Sequence, residues 1–219
     1  MKHFFLSVAA ALGAVASLSA SDAPHGFVPA AFVHRALADA VGHTAVADLD
    51  LDGDLDIVLN GFWFETPADV ERGDYGHHEI DAKCFNQKTG LWPDNATYVR
   101  VADLNRDGLP DIVICHSEKV GYPISWYSVD SLAQARTGPW REHTIAAVFD
   151  WCETLDVGDI DNDGTLDVLA AKFPRHDPPG GRWANDPPYP VSVFYSVAGD
   201  GSKWTRQDLA LDGAYAAML

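Results

Sequence analysis

The chain has 219 residues, with 15 lysine and arginine residues against 32 aspartate and glutamate residues, a formal net charge of −17 and a sequence pI near 4.6. This acidity argues against nucleic acid as a partner, because phosphate binding needs clustered Lys and Arg side chains. Hydrophobic residues make up 47% of the chain and charged residues 21%, so the sequence can bury a core and does not resemble an acidic disordered tail.

Residues 1–20 are typical of a secretory signal peptide. Lys2 and His3 precede an apolar run from Phe4 to Val15, and small residues follow as far as Ser21. The apolar run is too short to span a bilayer, and no later segment is long and apolar enough to be transmembrane. The sequence therefore predicts a secreted or periplasmic protein whose repeats occupy residues 21–219.

One segment recurs three times along the chain. It reads VADLDLDGDLDIVLN at 46–60, VADLNRDGLPDIVIC at 101–115 and VGDIDNDGTLDVLAA at 157–171. The leading acids of the three copies lie 55 and 56 residues apart. A fixed period of this size predicts stacked supersecondary units.

Four strands are predicted in each repeat. An alternating stretch such as 98–102 precedes the acidic segment, and a short apolar run such as 112–114 follows it. The third predicted strand is rich in aromatic residues, and the fourth element has His or Gln three residues after its first residue. The aromatic strands are 62–65, 125–128 and 193–196, and the fourth elements begin at Tyr75, Trp140 and Trp204. Four strands per repeat with almost no helix signal predict an all-β propeller of four-stranded antiparallel blades.

Within each acidic segment, carboxylate or amide side chains occupy positions 1, 3, 5 and 9, with glycine at position 6. Ca²⁺ accepts six to eight oxygen ligands in flexible geometry, so about three Ca²⁺ ions are the predicted cofactors. An EF-hand is excluded because position 12 is apolar instead of Glu. The predicted ligands are Asp48, Asp50, Asp52, Asp54 and Asp56 in loop 48–56; Asp103, Asn105, Asp107 and Asp111 in loop 103–111; and Asp159, Asp161, Asp163 and Asp167 in loop 159–167.

These segments resemble the FG-GAP/VCBS repeat family, whose blades carry a DxDxDGxxD calcium loop between their first two strands, as in integrin α-chain propellers. The aromatic strand and the W-x-x-H-x-I element are similar to those of bacterial VCBS proteins related to the aldos-2-ulose dehydratase propeller. The resemblance covers roughly Phe27 to the C-terminus and implies that the calcium ions are structural. The Phe-Gly and Gly-Ala-Pro motifs that name the family are absent.

Loops opposite the predicted calcium loops are expected to form a ligand-binding face. They combine aromatic rings with basic groups, which suits a carbohydrate, another polar ligand or a protein. Variable surface loops without a ligand are the alternative. The candidate residues are Trp92, Lys119, Arg175, His176, Arg182 and Trp183.

Two other functions are alternatives to a binding module. A sugar-active lyase or hydrolase would use a histidine with a carboxylate, and His116, Glu118 and Tyr122 are the weak catalytic candidates. A purely structural part of a larger protein is the other alternative. His34, His78 and His143 occupy equivalent places in their repeats, which indicates a repeated structural role.

The three cysteines, Cys84, Cys115 and Cys152, allow at most one internal disulfide, and the sequence does not identify the pair. A bridge involving Cys115 and a metal site with His116 are both alternatives. Residues 21–219 hold about 3.6 repeats, with a fourth expected to open at Trp204. Because propellers typically need 4 to 8 blades, we expect further blades from a longer chain or from another copy.

Overall fold

The described part of the chain is an all-β structure made of three successive four-stranded antiparallel sheets. A computed structural model describes residues 43–84, 96–117, 120–172 and 190–209. The predicted signal peptide and His34 lie outside these residues. The first sheet contains β1 (Ala45–Ala47), β2 (Asp56–Leu59), β3 (Phe62–Glu65) and β4 (Gly76–Glu79); the second contains β5 (Ala96–Ala102), β6 (Asp111–Ser117), β7 (Ile124–Ser128) and β8 (Arg141–Ala146); the third contains β9 (Cys152–Gly158), β10 (Asp167–Lys172), β11 (Val191–Ser196) and β12 (Trp204–Leu209).

Strand order within each sheet follows chain order, so each sheet is a simple meander. Four strands per repeat, as the sequence predicts, are confirmed. The short helix α1 (Leu132–Thr137) lies between β7 and β8, and a 3-10 turn, Ala82–Cys84, follows β4. Each acidic loop joins the first and second strands of its sheet. The connections between second and third strands therefore lie at the opposite end, as expected from the alternating direction of a meander.

The third aromatic strand lies one residue out of the register that sequence matching suggests. Tyr127 pairs with Ile112 in the second sheet, whereas Phe194 pairs with Val168 in the third. Because Ile112 and Val168 each follow the last loop aspartate, Phe194 corresponds to Tyr127. The tryptophan position of the second sheet is therefore held by Val193 in the third.

The expectation that a fourth repeat opens at Trp204 is wrong. Trp204 begins β12, which pairs antiparallel with β11 and places Trp204 opposite Ser196. This strand is the fourth of the third sheet, in the place that β4 and β8 occupy in the other two. The described residues thus contain three complete sheets.

Two hydrophobic cores lie between successive sheets. The first core packs Leu49, Val58 and Trp63 of the first repeat against strands of the second sheet. The second core packs the corresponding Leu104, Val113 and Trp126 against strands of the third sheet. The first strands also contact each other from sheet to sheet, β1 with β5 and β5 with β9. The same face of each repeat therefore packs on the repeat that follows.

A tryptophan in the third strand hydrogen-bonds across each of these cores. The indole Nε1 of Trp63 donates to the carbonyl oxygen of Ala135 at 3.0 Å, and that of Trp126 donates to the carbonyl oxygen of Gly201 at 3.2 Å. His78 stacks on Trp63 and His143 stacks on Trp126, with ring centroids 4.3 and 4.0 Å apart. The repeated histidines of the described sheets thus have the predicted structural role.

Gly201 gives a test of the packing between the second and third sheets. A Cβ at Gly201 would lie 2.4 Å from Cζ2 of the buried Trp126, whereas a Cβ at Gly121 would meet nothing within 4 Å. Both glycines have positive φ, 69° and 82°, so the backbone strain of an alanine is similar at the two positions. We expect Gly201→Ala to lower the free energy of unfolding by roughly 2 kcal/mol more than Gly121→Ala. Urea unfolding of the two variants measures this difference, and equal losses would contradict the packing described above.

Candidate metal sites in three acidic loops

The first aspartate of each acidic loop is wrapped by backbone N–H groups of its own loop. Its Oδ1 accepts from the N–H at position 5 at 3.0, 3.1 and 3.0 Å in the three loops. Its Oδ2 accepts from the glycine N–H at position 6 at 3.0, 3.0 and 2.9 Å. The side chains at these first positions are Asp48, Asp103 and Asp159. The three loops therefore share one conformation as well as one sequence pattern.

Positive φ angles at positions 4 and 6 make this conformation. Leu51, Arg106 and Asn162 have φ of 58°, 62° and 62°, and the glycines at position 6 have φ between 85° and 101°. Side-chain oxygens at positions 3 and 5 accept the N–H groups two residues further on, as in Asx turns. The chain thus curls back on itself in the same way in each loop.

The aspartate at position 9 closes each loop from the first residue of the second strand. Asp56, Asp111 and Asp167 are buried, and Oδ2 of each accepts the backbone N–H at position 2 at 2.9 Å. The other oxygen of Asp56 accepts the N–H of Thr66, and that of Asp167 accepts the N–H of Ser196. One buried carboxylate thus joins the loop, the second strand and the end of the third strand.

Asp111 differs because its Oδ1 has no hydrogen-bond partner among the described residues, although the side chain is 0% exposed. An ionised oxygen buried without a partner costs several kcal/mol. Burial also raises the pKa of Asp111 to about 7, against the opposing effect of the N–H groups of Leu104 and Asn105. The residues of the second loop therefore fit a cation, which would supply the missing partner for this oxygen.

Carboxylate oxygens of the first and third loops lie close enough to share one ion. Oxygens of Asp48, Asp50 and Asp52 lie within 4.8 Å of one another, as do oxygens of Asp159, Asp161 and Asp167. Two oxygen ligands that each lie about 2.4 Å from a common Ca²⁺ are at most roughly 4.8 Å from each other. The donors are all hard oxygens, the type that Ca²⁺ prefers. Asn105 supplies an amide oxygen at the corresponding place in the second loop.

Arg136 is a charged partner of the first loop that sequence reasoning missed. Its guanidinium forms an ion pair with the buried Asp50 and another, at 3.2 Å, with Glu65. The hydrogen bond from Arg136 is the main cause of the lowered pKa of Glu65. Arg136 belongs to α1 of the second repeat, 86 residues from Asp50, so periodicity within the loops gives no signal for it. It lies beside the loop that has the most carboxylates.

Two of the catalytic candidates, His116 and Tyr122, lie at the other end of the sheets. His116 is 1% exposed, and burial lowers its pKa to about 3, so its ring is neutral at pH 7. Tyr122 packs edge-on against it with ring centroids 5.1 Å apart. Glu118 lies outside the described residues, so the proposed combination of a histidine with a carboxylate stays a prediction. The candidates for the ligand face, Trp92, Lys119, Arg175, His176, Arg182 and Trp183, also lie outside the described residues.

Lys83 is a second charged residue that joins neighbouring repeats. Its ammonium lies 3.1 Å from Asp81 and 2.6 Å from Glu142 of the second sheet. Burial alone would lower the pKa of Lys83, but hydrogen bonds to Glu142 and Asp81 raise it. Asp81 also accepts a hydrogen bond from the hydroxyl of the buried Tyr127 at 2.9 Å. Polar contacts thus join the first two sheets in addition to their shared hydrophobic core.

Comparison of the chain with protein-family models, curated proteins and solved structures gave no match. Among the described residues, every helix is too short or too polar to cross a bilayer.

The buried Asp111 predicts a pH dependence of stability in metal-free protein. Its pKa in the folded state, about 7, lies above the ordinary value of 3.8 for an aspartate. The stability that this group contributes is thus fully present below about pH 4 and is lost as the pH rises through 7. As the pH rises from about 4 to about 7 in EDTA, we expect the free energy of unfolding of wild type to fall by on the order of 1–3 kcal/mol relative to that of Asp111→Asn. Urea unfolding of both proteins across this range checks the prediction, and a pH-independent difference would contradict it.

Proposed function

We propose that this chain is a secreted calcium-binding β-propeller repeat protein of the FG-GAP/VCBS type, in which one Ca²⁺ braces each acidic loop. We further propose that it acts as a binding module for a carbohydrate, another small polar ligand or a protein. The observation that carries the calcium assignment is the threefold recurrence of one loop conformation, in which backbone N–H groups wrap the first aspartate and the ninth aspartate is buried.

The recurrence separates this geometry from an ordinary Asp-Gly turn. A solvated turn needs neither a fully buried carboxylate nor alternate acids directed at one point. The unpartnered Oδ1 of the buried Asp111 supports a cation in the second loop, and the grouped oxygens support one in each of the other two. Without bound cations, five carboxylates in the first loop and four in the third repel one another.

Packing between the sheets supports the propeller part of the proposal. The apolar residue at position 2 is buried against the next sheet in the first and second repeats, as Leu49 and Leu104. Ile160, at the same position of the third repeat, is 42% exposed. No sheet follows the third among the described residues. A further blade in that position would cover Ile160 and continue the stacking.

A structural role for the ions follows from what the loops connect. Each loop joins two strands, and its ninth aspartate is tied to the backbone of position 2, whose side chain packs in the core between sheets in the first two repeats. A bound ion would hold these groups together and lower the repulsion among the acids. The sites are formed from side chains within a single loop, and this suits a brace for the hairpin.

Calcium titration tests the assignment. We expect three Ca²⁺ ions per chain by isothermal titration calorimetry and a rise in the melting temperature of at least about 5 °C with Ca²⁺, reversed by EDTA. Asp159→Asn is expected to reduce the number of ions to two. It removes the negative charge and replaces one of the two oxygens that accept the backbone N–H groups of Asp163 and Gly164.

Two matched variants control for loss of charge and for amide chemistry. Asp74→Asn removes one charge from an exposed loop at the same end of the first sheet, so three ions should still bind. Asp161→Asn gives the third loop the Asn that the second loop has at position 3, and it is also expected to retain three ions. Circular dichroism verifies that each variant is folded. An unchanged stoichiometry in folded Asp159→Asn, or no calcium binding by wild type, would overturn the assignment.

The ligand face is tested separately from the calcium loops. We propose that it lies at the end opposite those loops, where the connections between second and third strands emerge. Triple substitution of Trp92, Arg182 and Trp183 with alanine is expected to weaken binding to any glycan identified on an array by at least about tenfold, because aromatic anchors and arginines dominate binding energy. The calcium-dependent melting temperature is the control and should not change. Full retention of glycan binding would contradict this location.

A further inference from the structure

Two of the three cysteines meet in the core between the second and third sheets. Cys115 belongs to β6 and Cys152 is the first residue of β9, and both are 0% exposed. The Sγ of Cys115 lies 3.9 Å from the backbone carbonyl oxygen of Cys152. Both belong to the second hydrophobic core. Cys115 and Cys152 therefore lie close together at the interface between two repeats.

The third cysteine lies elsewhere. Cys84 is buried in the first core, where its Sγ lies 3.9 Å from the hydroxyl of Tyr127. It is thus separated from the other two thiols by the second sheet, whose opposite faces line the two cores. All three cysteines are free thiols in the structure. Of the three pairings that the sequence allows, the geometry favours one.

We propose that Cys115 and Cys152 form a disulfide that links the second sheet to the third in the mature protein, and that Cys84 remains a free buried thiol. The oxidant is a low-molecular-weight disulfide such as oxidised glutathione. One cysteine thiolate attacks it, releases one glutathione and forms a mixed disulfide. The second cysteine then attacks the protein sulfur and releases the other glutathione. Two S–H bonds and one S–S bond are lost, while one protein S–S bond and two glutathione S–H bonds form.

Neighbouring contacts hold the two strands in place for this bond. Glu153 follows Cys152 and accepts hydrogen bonds from the Ser117 hydroxyl at 2.9 Å and from the Tyr98 hydroxyl at 3.3 Å. Ser117 and Tyr98 belong to the second sheet, so the same pair of sheets is joined by polar contacts next to the thiols. Because both thiols are excluded from solvent, we expect the bond to form during folding, before the core closes.

The bond would lie at the end of the sheets opposite the acidic loops. Bound ions would brace one end of this pair of repeats and the disulfide would fix the other. A crosslink also restricts the unfolded chain, since it closes the segment between residues 115 and 152. The inference depends on the proposed export only for its oxidising conditions, and its test does not require calcium binding.

Thiol counting after refolding tests the proposal. The full chain is refolded in a glutathione redox buffer, alkylated in denaturant and weighed by mass spectrometry, with and without prior reduction. We expect one alkylated cysteine per chain before reduction and three after it, and peptide mapping under non-reducing conditions should join the Cys115 peptide to the Cys152 peptide. Reduction is expected to lower the melting temperature by roughly 5–10 °C.

Single serine variants make the result specific. Cys84→Ser should have no free thiol before reduction and the same melting-temperature shift as wild type. Cys115→Ser and Cys152→Ser should each have two free thiols, and reduction should not change their melting temperature. Calcium binding measured in the same samples separates this outcome from that of the calcium assignment. Three free thiols in refolded wild type, or a bridge that contains Cys84, would overturn the proposal.

Discussion

A buried carboxylate begins the second strand of every repeat, and the loop before it folds back onto that group. The aspartate oxygen that accepts the N–H at position 2 does so at the same 2.9 Å in all three copies. In the first and third repeats its other oxygen accepts an N–H from the residue that ends or follows the third strand. Burying such a group is unfavourable unless its charge is compensated. A cation within the loop would provide that compensation, and this requirement links the fold to its proposed cofactor.

This carboxylate also connects the loop to the packing between repeats. The residue whose N–H it binds is Leu49 or Leu104 in the first two repeats, and the side chain of that residue packs against the next sheet. Binding of an ion would therefore stabilise an interface between sheets as well as a turn. Arg136 extends this coupling, because it reaches from the second repeat to Asp50 in the first loop. Calcium binding as proposed would therefore stabilise the whole assembly and not single hairpins alone.

The sequence predicted the local features well because each depends on neighbouring residues. The strands around the acidic loops, the four-strand repeat and the positions of the loop glycines all follow from short-range patterns. The register of the third aromatic strand was missed, because Val193 replaces a tryptophan and the strand partner of Phe194, Val168, is distant in sequence. The sequence pattern allowed Trp204 to begin either the fourth strand of the third repeat or a new repeat, and only its pairing with Ser196 fixes its sheet.

Contacts between repeats were beyond sequence reasoning for a related cause. The approach of Cys115 to Cys152 and that of Arg136 to Asp50 depend on how one sheet stacks on the next. A periodic pattern shows that stacking occurs but does not give the rotation between units, so it cannot show which non-repeated side chains meet. The sequence also gives no sign that Oδ1 of Asp111 lacks a hydrogen-bond partner, because the equivalent oxygens of Asp56 and Asp167 both accept backbone N–H groups.

Anomalous diffraction from crystals grown with Ca²⁺ would locate the ions in the loops. We expect three anomalous peaks, one in each acidic loop, about 2.4 Å from carboxylate oxygens of Asp48, Asp103 and Asp159. The peak in the second loop should also coordinate the Oδ1 of Asp111. Ordered loops with no anomalous peaks at saturating Ca²⁺ would contradict the account, and so would peaks located only outside the loops.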